Sequence, residues 1–299
     1  MKQRYIVVEK RKSVWILLGA LVYTAVILLG LRNMVVSLVS VSDKELPIYS
    51  VQRDEPLIAL TFNCAWDEND IPQLLELLER EDVVATFFLV GQWIEEYPDS
   101  VRQITEAGHE IGNHSYSHVD FVGAGEEEIR QQMEKTDALI RQLIGVAPKL
   151  ARVPSGSYDS RVIRLLRQEG YEVIQWDVDS VDWKKPPAGE IVQKVVGKAQ
   201  NGSIVLFHSG AATTMEALPD VIAGLREKGF AFTTVGNLLL EGETVIDHTG
   251  RQMLAEKKAD PEKESIQIKK QDGFSILFFA ICFSADGPNT NPWQIRPLL

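Results

Sequence analysis

Cysteine is scarce in this chain: Cys64 and Cys282 are the only two among 299 residues. Two cannot make a disulfide framework, and nothing in the sequence brings them together. Basic residues are in deficit too. Thirty-one lysines and arginines face 42 aspartates and glutamates, a formal charge of −11, which excludes the basic footprint that a nucleic-acid backbone demands. Compositional extremes are missing as well, with 45 % apolar residues, 24 % charged, 21 glycines and 13 prolines. Disordered, collagen-like and coiled-coil chains are thereby set aside.

Long apolar runs are missing with one exception near the start. Residues 14–31 are 18 consecutive positions without a charged side chain. As a helix they would span roughly 27 Å, close to the hydrocarbon core of a bilayer. Lys2, Arg4, Lys10, Arg11 and Lys12 precede them and only Arg32 follows closely. That asymmetry keeps the N-terminus in the cytoplasm. The expectation is a cytoplasmic basic segment at 1–13, a transmembrane signal anchor at 14–31 and an exported, membrane-anchored remainder. Ser37, Ser40 and Ser42 would suit a cleaved signal peptide, but the run exceeds the roughly 7–15 residues of such a core, so the anchor is the favoured reading. Residues 1–32 carry +5 and leave −16 on the rest. A part so acidic would hold a polymer in a local groove, not by bulk attraction.

After a linker at 32–55, β-rich runs alternate with helical periodicity. The runs are 57–62, 84–90, 109–113, 149–153, 171–178, 203–208 and 231–235. Between them Ile71, Leu74, Leu75, Leu77 and Leu78 repeat at helical spacing, as do Ile129, Met133, Ile140 and Leu143. Such alternation implies parallel strands with helices outside. Seven units suit an α/β barrel over residues 56–246, while 247–299 read as an irregular tail of unknown role. The sequence carries no signal of an oligomeric state.

In parallel α/β barrels the reactive groups gather on the loops after the strands. Asn63, Cys64, Asp67 and Asp70 follow the first run, His114 and His118 the third, Arg152 the fourth, Asp179 and Asp182 the fifth, and His208 the sixth. Three of the chain's five histidines fall at such ends. Four apart on a helical turn, His114 and His118 would share a face and grip one metal ion, or simply bond to loop carbonyls. In Arg152-Val153-Pro154-Ser155-Gly156 a tight turn would aim the Ser155 N–H at an oxyanion. Asp179 and Asp182 would orient Arg152 or His208, or stand solvated. His208, ending an apolar strand, suits a general acid.

In order, Thr61-Phe62-Asn63-Cys64, His114-Ser115-Tyr116-Ser117-His118, Arg152-Val153-Pro154-Ser155-Gly156, Asp179-Ser180-Val181-Asp182-Trp183 and Leu206-Phe207-His208 resemble the polysaccharide deacetylase family, whose catalytic unit is the NodB homology domain. The resemblance covers roughly residues 56–240. It implies a distorted (β/α)7 barrel that removes acetyl groups from N-acetylglucosamine polymers, here the cell-wall glycan peptidoglycan, with a divalent metal, zinc foremost. It is closest in kind to membrane-anchored, sporulation-type members. By resemblance His114 and His118 would be metal ligands, His208 the general acid and Leu206 the floor of the acetyl pocket. Ser155 would hold the oxyanion, Arg152 would orient the base, Asp179 would tune His208, and Trp183 would meet substrate.

The first motif departs from the family, which places two aspartates there, one as base and one as third metal ligand. Asn63 cannot take a proton from water near neutral pH. Cys64 as a thiolate would serve as a zinc ligand, and Asp67 and Asp70 are the nearest replacements for the base. Two functions follow: a metal-dependent deacetylase, or a weakened barrel that binds cell-wall glycan or a wall partner without hydrolysis.

Overall fold

The computed structural model describes residues 21–24, 27, 44–66 and 70–255. Its strands are β1 (Ser50–Val51), β2 (Leu57–Cys64), β3 (Thr86–Leu89), β4 (Glu110–Asn113), β5 (Leu150–Ala151), β6 (Glu172–Val173), β7 (Val178–Asp179), β8 (Ile204–His208), β9 (Ala231–Phe232), β10 (Thr244–Ile246) and β11 (Arg251–Leu254). The main sheet runs in the order β6-β5-β4-β3-β2-β8-β7, with β9 paired to the start of β2, and every pairing in it is parallel.

Side-chain alternation along β2 builds the two faces of this sheet. Ile58, Leu60, Phe62 and Cys64 point outward into a core shared with Leu74, Leu78, Leu218 and Val221 of the flanking helices. Ala59, Thr61 and Asn63 point the other way, as period-two geometry requires. The register places Phe62 beside Phe87 and Phe207 on the neighbouring strands. Their rings stack at 5.1 and 5.6 Å. The helix Ile71–Arg80, opened by a proline in its first turn, buries the five apolar residues that its spacing marks. Asp159 caps Ser160–Gln168 by accepting from the Val162 N–H at 2.8 Å.

The distortion of the expected (β/α)7 barrel is an opening. The single run 171–178 supplies two strands, β6 and β7, which lie at opposite edges of the sheet and do not pair. Ile174 to Asp177 cross from one edge to the other, and so short a crossing spans at most roughly 18 Å. The sheet is therefore curled into a half-barrel whose gap is bridged by backbone. Ile48 enters that gap, donating to the Val173 carbonyl and accepting from the Gln175 N–H. Asp177 anchors the far side by accepting from Ser203 Oγ and the Ile204 N–H, at 2.8 and 2.9 Å.

The anchor expected at 14–31 is not supported: among the described residues no helix is long and apolar enough to cross a membrane. Apart from residues 21–24 and 27, the segment 14–31 lies outside the described residues. The folded unit runs wider than 56–246, since β1 pairs with β11 and β11 with β10 in a separate three-stranded sheet. The chain divides at Ala255, and Glu256–Leu299 lie outside the described residues.

Replacing Phe62 by Ala empties the centre of the aromatic ladder and should destabilise the domain by about 3–5 kcal/mol in denaturant titration; a loss under about 1 kcal/mol would contradict the packing. His109 supplies a pH test. It is buried, and its Nδ1 accepts from the Ala85 N–H at 3.2 Å, so protonation there breaks the bond. Burial lowers its pKa from 6.5 to about 4. The unfolded chain then binds the proton first, so stability should fall as pH drops from about 6.5 toward 4. His109→Gln should flatten part of that slope, and an unchanged slope would refute this reading.

Candidate active site

Most of the sequence-marked residues meet in one cavity of about 420 Å³ at the C-terminal ends of the strands. Asn63, Ala65 and Trp66 line it from β2 and its exit, and Leu206 and His208 from β8. Asp179 ends β7 and Trp183 follows in the next loop, His114 and His118 come from the loop after β4, and Ser155, Gly156 and Trp176 complete the wall. The register accounts for the gathering, because Asn63 pairs with His208 and Leu206 with Asp179 on adjacent strands.

The two histidines do not sit on a helical turn, as their spacing led us to expect. They span a loop in which Ser115 (φ 66°) and His118 (φ 55°) adopt left-handed backbone conformations, uncommon outside glycine. Neighbouring side chains fix that loop. Asn113 Oδ1 accepts from the Ser115 N–H at 2.9 Å, while its Nδ2 donates to the Met133 carbonyl and to Asp137. Gln132 Oε1 accepts from the Tyr116 and Ser117 N–H groups at 3.0 and 2.8 Å. Gly112 lets the strand beneath lie against Phe88, whose ring a Cβ there would approach to 2.5 Å. The imidazole rings of His114 and His118 meet edge to face at 5.0 Å.

His114 Nδ1 donates to the Arg152 carbonyl at 2.8 Å, and its buried Nε2 has no partner among the described residues. Burial above all holds both histidines below their ordinary pKa, His114 well below. Two neutral imidazoles are thus suited to a metal. The third expected ligand is not with them. Cys64 lies on the opposite face of β2, wholly buried in the apolar core, and burial pushes its thiol up to about 12. A thiolate ligand at Cys64 is therefore corrected by strand alternation. No group of three or more His, Cys, Asp or Glu side chains among the described residues forms a metal site. Those residues supply two nitrogen donors and no third, so they do not complete the implied set. Asp67 lies outside the described residues, and Asp70 accepts from the Gly210 N–H at 2.7 Å.

His208 is held by Asp182, not by Asp179. Asp182 Oδ1 meets His208 Nδ1 at 2.7 Å, and Oδ2 accepts from the His208 N–H and from Thr214 Oγ1. Burial alone would raise the Asp182 carboxyl, but the hydrogen bonds and charge at His208 outweigh it and hold the group below its ordinary range. With Nδ1 committed, His208 keeps Nε2 for the cavity. Asp179 turns back on its own loop, accepting from the Val181 N–H at 2.8 Å. Only the side chain's contacts separate the two aspartates; both follow the same strand in sequence.

Arg152 is wholly buried and does not reach the cavity surface. Its guanidinium donates to Asn63 Oδ1 at 2.9 Å and to the Gln175 carbonyl at 3.2 Å. Trp66 and Trp183, 55 % and 52 % exposed, line the cavity. The Trp66 ring stands 5.3 Å from that of His208. Sequence reasoning passed over Trp66, Trp176, Asn113 and Gln132. The cue for Trp66 was its place two residues past a strand end.

Histidines and tryptophans thus gather at the strand ends of a half-barrel, and comparison gives the family. Residues 50–174 match the family model described as polysaccharide deacetylase. A peptidoglycan-N-acetylglucosamine deacetylase of Bacillus cereus is 32 % identical over 196 residues, 64 % of this chain and 92 % of its own length. The chain belongs to the polysaccharide deacetylase family. It is also 37 % identical over 195 residues to the uncharacterized protein YlxY of Bacillus subtilis, matching 65 % of this chain and 61 % of YlxY's length. Among solved structures it is similar to wild-type BA3943, a CE4 family pseudoenzyme from Bacillus anthracis, with TM-score 0.62 and 35 % identity over 64 % of this chain and 68 % of that one.

Truncating Asp182 to Ala leaves the His208 N–H and Thr214 hydroxyl without their acceptor. It should cost about 1–3 kcal/mol in denaturant titration at neutral pH. Asp179→Ala, which removes one loop contact, should cost less than about 1 kcal/mol. The reverse order would contradict the assignment of Asp182 as the partner of His208.

Proposed function

We propose that this chain acts on peptidoglycan as an N-acetylglucosamine deacetylase of low turnover. What carries the reading is the meeting of His114, His118 and His208 with Asn63, Ser155 and Leu206 in one tryptophan-flanked cavity. A sugar ring would lay its apolar face on Trp66 or Trp183, with the acetyl methyl against Leu206. His208 Nε2 would give a proton to the departing nitrogen as the C–N bond breaks, while Asp182 holds the ring in place. The Ser155 N–H would face the developing oxyanion. A divalent metal, general in this family, would find His114 and His118 and no further ligand among the described residues. The base side is weak because Asn63 stands where an acceptor of the water's proton is needed. The relative from Bacillus cereus supports the substrate class by name. A substrate of that kind requires the domain to work outside the cytoplasm.

A second reading, glycan binding without hydrolysis, is favoured by the lock between Asn63 and Arg152. The likeness to BA3943 supports it, since a mutant of that pseudoenzyme is described as having restored enzymatic activity.

Acetate release from N-acetylglucosamine oligomers and peptidoglycan, with divalent metal supplied, tests both. The natural chain should release acetate slowly, and Asn63→Asp should raise the rate about 100-fold or more, the scale of a positioned base. Binding by both proteins with no acetate from either would leave only the second reading. Absence of oligomer binding would remove both.

A further inference from the structure

The side chain of Arg152 is fully enclosed, yet among the described residues no carboxylate meets it. Two of its nitrogens donate to neutral oxygens, on Asn63 and Gln175, and its buried Nε has no partner among the described residues. The rings of Phe88 and Trp176 lie against it, 4.0 and 5.4 Å from centroid to guanidinium carbon. Burial lowers its pKa to about 9, so the group still carries its charge at neutral pH. A buried charge without a counter-charge is costly to keep.

The direction of the Asn63 amide follows from its partner. A guanidinium has donors only, so the amide oxygen must face Arg152 and Nδ2 must face away. Asn63 lines the cavity, and its Nδ2 has no protein partner among the described residues. A carboxylate at this position would offer acceptors both to Arg152 and to the cavity. The amide offers an acceptor to Arg152 and two N–H donors to the cavity. The polarity of the position is inverted, with a buried cation directly behind it.

We propose that the cavity at Asn63 is a carboxylate-binding position, where a ligand carboxylate accepts from Nδ2 and supplies the negative charge that Arg152 lacks. Two sources share this chemistry: free acetate, and the carboxylate of an acidic amino sugar such as N-acetylmuramic acid. Other groups at the cavity leave the position open. His208 is engaged with Asp182. Asp179 is the only carboxylate among the lining residues, and it stands beside Leu206 on the strand beyond His208. The proposal rests on the glycan reading only in using the same cavity.

Ligand-observed NMR or calorimetry on the folded protein, with acetate, N-acetylmuramic acid and N-acetylglucosamine oligomers, tests it. The natural chain should bind both carboxylates. Asn63→Asp should weaken each by about ten-fold or more, since like charges then oppose. Asn63→Ser, which removes the amide donors without adding charge, should also weaken both. A preference for N-acetylmuramic acid over acetate and over neutral oligomers assigns the sugar as source; equal binding of acetate assigns the free anion. Carboxylate affinity undiminished in folded Asn63→Asp and Asn63→Ser overturns the proposal and leaves the glycan reading intact. Anion binding that depends on Asn63, without any oligomer binding, does the reverse.

Discussion

The buried guanidinium of Arg152 is the constraint on which the site depends. Its backbone N–H donates to the Asn113 carbonyl at the end of β4, and its own carbonyl holds His114 Nδ1. Its side chain reaches Asn63 on β2 and the Gln175 carbonyl in the segment that crosses the open side of the half-barrel. One residue therefore ties two strand ends, the histidine loop and the bridged gap. A charge in that position dictates that whatever stands at 63 must accept from it.

That requirement divides the cavity into two unequal sides. On the His208 side a buried carboxylate, two backbone donors and a threonine hydroxyl fix a ring with a free nitrogen, a complete arrangement for the proposed proton donor. On the Asn63 side the amide spends its only acceptor on Arg152, leaving none to take a proton from water. Among the described residues the metal donors are likewise incomplete, because strand alternation sends Cys64 into the core. The proposed low turnover follows from those few residues.

Much of the fold was legible because burial periodicities are local. The five apolar residues of 71–80 and the aromatic strand 57–64 declare themselves without their partners. The split of 171–178 into two opposite edges did not, since a continuous β-rich run looks alike whether it pairs as one strand or crosses a gap. Cys64 was readable in retrospect: Ile58, Leu60, Phe62 and Cys64 share one parity and Asn63 the other. The choice between Asp179 and Asp182 was not, because a two-residue turn with Val181 in the left-handed region (φ 60°) decides which carboxylate faces His208. Nor did the His114–His118 spacing reveal a loop, since clamping by Gln132 and Asn113 comes from a helix and a strand end that only the fold brings together.

The central claim, that the Asn63 carbonyl is committed to Arg152, can be measured directly by NMR. Scalar coupling across the hydrogen bond from the Arg152 guanidinium N–H to the Asn63 side-chain carbonyl should be visible in the folded domain, with the Asn63 amide protons sensitive to cavity ligands. Absence of that coupling in a folded sample, with the carbonyl turned toward the cavity, would contradict the account.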